Sequence, residues 1–127
     1  MKIFLLFITG SIIYPSLELI WRRRTHISMA FAGGISMLAL YFMFLVLPDM
    51  NILLKSTLAS LFITALEFMI GLVVNLIMGL HIWDYSKVPL NLLGQICLPF
   101  SGVWLGLSFA MFNIFTVAQN ILFTLNV

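Results

Sequence analysis

A carboxylate at position 67 stands within an apolar run from Leu54 to Leu80. An ionisable group at the centre of a membrane span costs about 2.5–3.5 kcal/mol on insertion scales. Glu67 therefore implies one of two roles. It either handles a proton, a cation or a polar substrate head, or it is a hydrogen-bonded strut between helices. At helical spacing Glu67, Gly71 and Asn75 share one stripe, so a neighbouring helix can approach at the glycine while the polar side chains face the bundle interior. A second acid, Glu18, lies one turn before Arg22, a spacing that suits an ion pair. Tyr14, Glu18 and Arg22 also fall on one face, and that face would line the mouth of a cavity shared with Glu67.

The other concentration of polar chemistry is Trp83-Asp84-Tyr85-Ser86-Lys87, followed by Pro89, Asn91, Gly94 and Gln95. An aromatic belt at headgroup level with a helix cap accounts for Trp83, Tyr85, Asp84 and Ser86. It does not account for Asn91 and Gln95, whose amides follow Pro89 back into apolar sequence and must find partners there. Glu18, Glu67, Asn75, Asp84, Tyr85, Asn91 and Gln95 are accordingly the candidate substrate-binding residues. Cys97, Ser101, Trp104 and Ser108 share a face further on, as small polar residues at helix contacts often do.

Several chemistries find no support. There is no phosphate-cradling Gly-rich loop followed by Lys and Ser or Thr, so the chain does not bind ATP in that way. His26, His81 and Cys97 lack metal-ligand spacing, and no Ser-His-Asp or Cys-His set can be assembled. The reading therefore includes no catalytic residue, no metal and no cofactor.

These residues must be positioned by elements built for lipid. The chain has 127 residues, 63% of them hydrophobic and 8% charged, and its mean hydropathy is +1.19. Soluble domains carry about 25% charged residues, so water cannot be the solvent of this surface. The net charge of +2 gives no nucleic-acid footprint, because half of the basic residues form the run Arg22-Arg23-Arg24 beside an apolar stretch. One cysteine precludes an internal disulfide.

A span needs about 20 mainly apolar residues. Four fit, at about 3–21, 27–47, 54–80 and 100–123, and they form a single transmembrane domain. Lys2 ahead of the first span imitates a leader, but the apolar run continues into three arginines without a cleavage site, which predicts a retained helix. The short basic connection after it forces an antiparallel pair, and Pro48-Asp49-Met50-Asn51 stops the second helix. A straight helix from Val88 to Leu125 would be about 57 Å long, too long for a bilayer. Pro99 predicts a break, with a short broken or re-entrant helical piece over about 89–98. The expected fold is all-α, an integral membrane bundle of four transmembrane helices. Arg22, Arg23, Arg24 and Lys87 on one side outweigh Lys2 and Lys55 on the other, which puts the arginine loop in the cytoplasm and both termini outside.

The run from Ile82 to Trp104, with its Trp83-Asp84-Tyr85-Ser86, Pro89-Leu90-Asn91 and Gly94-Gln95-Ile96-Cys97-Leu98 elements, resembles the CmpB-like family of bacterial membrane proteins, named as type IV ABC-transporter permeases. Leu66-Glu67, Gly71 and Glu18 ahead of a basic loop belong to the same likeness. It departs in the second span, where Phe31-Ala32-Gly33-Gly34 stands in place of a proline followed by Tyr-Gly. The resemblance implies a small polytopic permease or transporter component in the cell membrane. Its partners would be membrane lipids together with further copies of itself or a separate ATPase subunit. A non-transporting membrane scaffold and a lipid-binding protein or intramembrane enzyme are the other classes compatible with the same polar residues.

Overall fold

The computed structural model describes residues 1–23 and 25–126, the side chains of Arg22 and Asn126 excepted. Four long helices follow one another, α1 (Lys2–Arg22), α2 (Ile27–Val46), α3 (Ile52–Gly71) and α4 (Leu98–Asn126). Each is long and apolar enough to cross a membrane. Helix α3 continues as a π-helical segment, Leu72–Ile77, so that the third span runs from Ile52 to Ile77.

Local chemistry sets the ends of these helices. Arg23 adopts a left-handed conformation (φ 57°) and its N–H reaches the Leu19 carbonyl, closing α1. His26 caps α2, its ring nitrogen accepting from the Ser28 N–H at 3.2 Å. Asn51 caps α3 by accepting from the N–H groups of Leu53 and Leu54.

Helices α1 and α2 pack at backbone distance. A Cβ built on Gly10 would lie 2.3 Å from the Gly33 carbonyl oxygen, and one on Gly33 would lie 2.2 Å from that of Gly10. Small residues allow this approach, which gains dispersion contact where lipid offers no hydrophobic drive for helices to associate. Helices α3 and α4 are tied by hydroxyls instead. Ser60 donates to the Ser101 carbonyl at 2.6 Å, and Thr64 meets the Ser101 hydroxyl at 2.8 Å.

Ring contacts define the two ends of the bundle. Trp21 lies 5.9 Å from Phe100 and 6.4 Å from Trp104, so the end of α1 sits beside the start of α4. At the opposite end the Lys2 ammonium stands over the Tyr41 ring, which packs edge-on to Phe115. Lys55 is buried there, donating to the Leu47 carbonyl with its charge 5.0 Å from the Phe112 ring centre. Large apolar side chains such as Phe4, Ile20, Phe31, Leu61 and Phe123 point outward, as lipid-facing positions should.

Two expectations need correction. The helical piece expected over 89–98 is a small β-hairpin, in which Asn91–Leu92 (β1) pairs antiparallel with Ile96–Cys97 (β2). Leu93 (φ 53°) and Gly94 (φ 72°) turn the chain left-handed, and the Asn91 side chain accepts from the Gly94 N–H, an alternative partner that competes with a helical ladder. Nor does Pro99 break a helix. It occupies the first turn of α4, where its missing N–H has no intrahelical acceptor to lose.

Candidate functional site

Glu67 occupies the last turns of α3 and is 2% exposed. Its Oε1 accepts from the Tyr85 hydroxyl at 3.0 Å, and its Oε2 accepts from the Trp104 indole N–H at 3.1 Å. The two donors come from different elements, the 78–97 loop and α4, so one carboxylate joins three parts of the chain. Tyr85 also stacks on Phe100, with ring centres 4.9 Å apart.

One turn further along α3, Gly71 lets the loop lie directly on the helix. A Cβ there would meet Gln95 Oε1 at 2.7 Å and the Trp83 ring at 3.0 Å. The element that approaches at this glycine is thus the loop, where sequence spacing predicted a helix. Asn75 continues the stripe inside the π-helical segment. Its amide donates to Gln95 Oε1 at 2.8 Å, and its Oδ1 accepts from the Ile82 N–H at 2.6 Å. Gln95 in turn donates to the Leu93 carbonyl, and the Trp83 indole N–H donates to the Gln95 carbonyl. The wider π turn carries Asn75 to face the loop, in keeping with the frequent use of π-bulges at functional positions.

The remaining candidates take different places. Glu18 is 3% exposed on α1. It stands between Tyr14, whose ring stacks on Trp104 at 5.1 Å, and Trp21, whose ring tilts against the same indole. Trp104 is therefore common to the α1 face that carries Glu18 and to the Glu67 carboxylate. The Arg22 side chain expected to pair with Glu18, and Arg24, lie outside the described residues. Asn91 builds the loop, donating to the Val88 and Ser86 carbonyls. Asp84 is exposed and accepts from the Ser86 N–H at 2.8 Å.

A family model described as "Putative ABC-transporter type IV", ABC_trans_CmpB, matches residues 5–126. The chain belongs to this CmpB family. No curated protein and no solved structure matches it. The match takes in α2, α3, α4, all but the first three residues of α1, and the Glu67–Trp104 contact, so that contact lies inside the CmpB unit.

A headgroup belt is one sequence account of Trp83 and Tyr85, and only Tyr85 is also a candidate site residue, yet both are buried, at 4% exposure each. The signal that finds them is alternation. Trp83 and Tyr85 turn inward while Asp84 and Ser86 turn outward, the period of an extended strand. Trp104 as the second donor to Glu67 has no local signature, because the contact spans 37 positions.

Asp84, outside the membrane spans, provides a pH readout of the loop. The Ser86 backbone N–H and then its side chain hold the Asp84 carboxyl below its ordinary 3.8, with smaller help from His81 and Lys87. A depressed folded-state pKa means that the turn gains from ionised Asp84 above the unfolded value and loses that gain as pH falls through the folded one. A carboxyl-carbon NMR titration should therefore show a midpoint below 3.8, moving upward in Ser86→Pro, which lacks the backbone donor. An unshifted midpoint in the wild-type chain would remove the turn contact.

Proposed function

We propose that this CmpB-family protein is the membrane-spanning component of a transporter and that Glu67 is its substrate- or ion-handling group. The observation that carries this reading is a carboxylate enclosed among membrane helices, 2% exposed, that accepts hydrogen bonds from two neutral donors, Tyr85 and Trp104. Asn75 and Gln95 extend the polar path one turn beyond Gly71. Glu18, on the α1 face that shares Trp104, supplies a second acid on the approach, and Asp84, Tyr85 and Asn91 hold the loop that covers it.

The same loop and the end of α1 meet at Phe100, at one end of the bundle, and by the positive-inside rule the arginines that follow α1 in sequence would put that end in the cytoplasm. A separate ATPase subunit would then dock from this side, since the chain carries no nucleotide-binding loop of its own. Movement of the 78–97 loop against α3 would open or close access to Glu67.

A scaffold reading draws on a specific observation as well, because the hydrogen bonds of Glu67 bind α3, α4 and the loop together. Inside-out vesicles from cells producing equal amounts of wild type and Glu67→Gln separate the two. ATP-driven uptake is measured for a panel of labelled monovalent cations, amines and polyols. Loss of uptake of at least one of these solutes in the variant, with folding intact, is the expected result. Identical uptake across the panel, accompanied only by a lower unfolding midpoint, would make Glu67 a strut.

A further inference from the structure

At the end of the bundle opposite the hairpin, α1, α2 and α4 wall a cleft of about 360 Å³, larger than the roughly 150 Å³ that accommodates benzene. Tyr41 and Phe44 line it from α2, while Lys2 stands on the α1 side and Gln119 on the α4 side. The aromatic wall is fixed by its own packing, since the Phe115 ring lies 5.7 Å from Tyr41 and 5.5 Å from Phe44. Ala118, beside Gln119, is too small to fill the space. Leu45 and Leu122 also line the cleft and are 52% and 55% exposed, so it opens sideways to lipid.

The polar groups on this otherwise apolar wall belong to Lys2, Tyr41 and Gln119, and each of them can donate. The Lys2 ammonium stands 5.9 Å from the Tyr41 ring centre, a cation–π contact that uses none of its N–H donors. Among the described residues no carboxylate lies within ion-pair distance of Lys2, and neither the Tyr41 hydroxyl nor the Gln119 amide makes a hydrogen bond. The charge beyond the wall has the same sign. Lys55 is buried with its ammonium 5.7 Å from the Phe44 ring centre, and the acid at this end, Asp49, is exposed in the α2–α3 turn. An ammonium with uncharged donors beside it and apolar walls around it is complementary to a molecule that has an anionic head and a hydrocarbon tail.

We propose that this cleft binds an anionic phospholipid of the surrounding bilayer, its phosphate held by Lys2 with Tyr41 and Gln119 donating, and part of one acyl chain lying against Phe44, Phe115 and Ala118. Lysine suits a phosphate as a compact point charge. The lateral mouth lets the tail continue into the bilayer, so the cleft need not enclose a whole chain. An occupant would join α1 and α2 to the end of α4, whose residues 116–125 are all exposed. The site does not depend on transport, because it shares no residue with the hydrogen bonds of Glu67.

The full chain, purified in detergent, is titrated with dioleoylphosphatidylglycerol, dioleoylphosphatidylcholine or oleate, and native mass spectrometry resolves the first bound molecule from later ones. The first phosphatidylglycerol is expected to bind about fivefold more tightly than phosphatidylcholine, the ratio that one lysine near a membrane surface supports. Lys2→Gln should bring the two lipids level. Gln119→Leu should weaken the phosphatidylglycerol site about fivefold by removing a donor, a loss that diffuse charge attraction would not produce. Ala118→Phe should fill the cleft and abolish the tight site while the unfolding midpoint stays unchanged, since Ala118 is exposed. Lys87→Gln, at the opposite end, should leave the preference intact. Equal binding of the two phospholipids, a preference that Lys87→Gln lowers as much as Lys2→Gln, or tight binding that survives Ala118→Phe would overturn the proposal. Oleate that binds more tightly than phosphatidylglycerol, and only while Lys2 is present, would overturn the phospholipid and give the cleft to a free fatty acid.

Discussion

Replacing Glu67 with alanine is expected to destabilise the protein by about 3 kcal/mol, while Glu67→Gln costs about 1 kcal/mol, both read from unfolding in SDS titrations of the detergent-solubilised chain. The alanine variant removes the acceptor that Tyr85 and Trp104 share and leaves a void between α3, α4 and the loop. A buried donor stripped of its acceptor loses about 1–3 kcal/mol, and the Trp104 N–H is enclosed in a residue only 3% exposed. Glutamine keeps the shape and one carbonyl acceptor, so a single donor is satisfied and the void does not form. Pairing Glu67→Gln with Trp104→Phe tests the contact itself. Groups in direct contact couple by roughly 0.5–3 kcal/mol, so strictly additive losses in this cycle would show that the 3.1 Å bond contributes nothing. The difference between alanine and glutamine also matters for function. A stable glutamine variant that no longer supports uptake separates the chemistry of the carboxylate from its packing.

Gly33→Ala is expected to have the other large effect, with loss of α1–α2 packing and a destabilisation of about 3 kcal/mol or more. The added atom would lie 2.2 Å from the Gly10 carbonyl oxygen and 2.5 Å from the Tyr14 Cβ, both fixed by backbone. No rotamer change relieves such a contact, so the helices must move apart and give up the dispersion contacts that hold them. Gly10→Ala should behave alike, because the approach is reciprocal. Controls lie in α4, where a Cβ on Gly102 or Gly106 would meet nothing within 4 Å. Alanine at either position should be neutral or stabilising by up to about 1 kcal/mol through helix propensity alone. Equal losses at Gly33 and Gly102 in the same SDS titration would contradict the packing described.

Displacement of α1 should also reach the site. Tyr14, whose Cβ faces Gly33, stacks on Trp104, and Trp104 donates to Glu67. Gly33→Ala variants that retain some fold would therefore be expected to show altered Trp104 emission.

Composition and periodicity determined the membrane architecture of this protein. A chain with 63% hydrophobic residues, interrupted by a basic connection, by Pro48-Asp49 and by one polar aromatic stretch, can satisfy its backbone in lipid only as helices of about bilayer length. The stripe of Glu67, Gly71 and Asn75 was legible for the same reason, since helical geometry is local and fixes which side chains share a face. What covers that stripe was decided by tertiary structure alone. Asn91 and Pro89 could equally open a helical turn or a hairpin, and the hairpin wins because Asn91, Gly94 and Gln95 find partners within the loop while Trp83 and Gln95 pack onto Gly71. Donation from Trp104 to Glu67 likewise depends on helices far apart in sequence meeting at a set distance. No spacing rule encodes that distance, because it results from how closely Gly10 and Gly33 allow one helix pair to pack and how Ser60 and Ser101 fix the other.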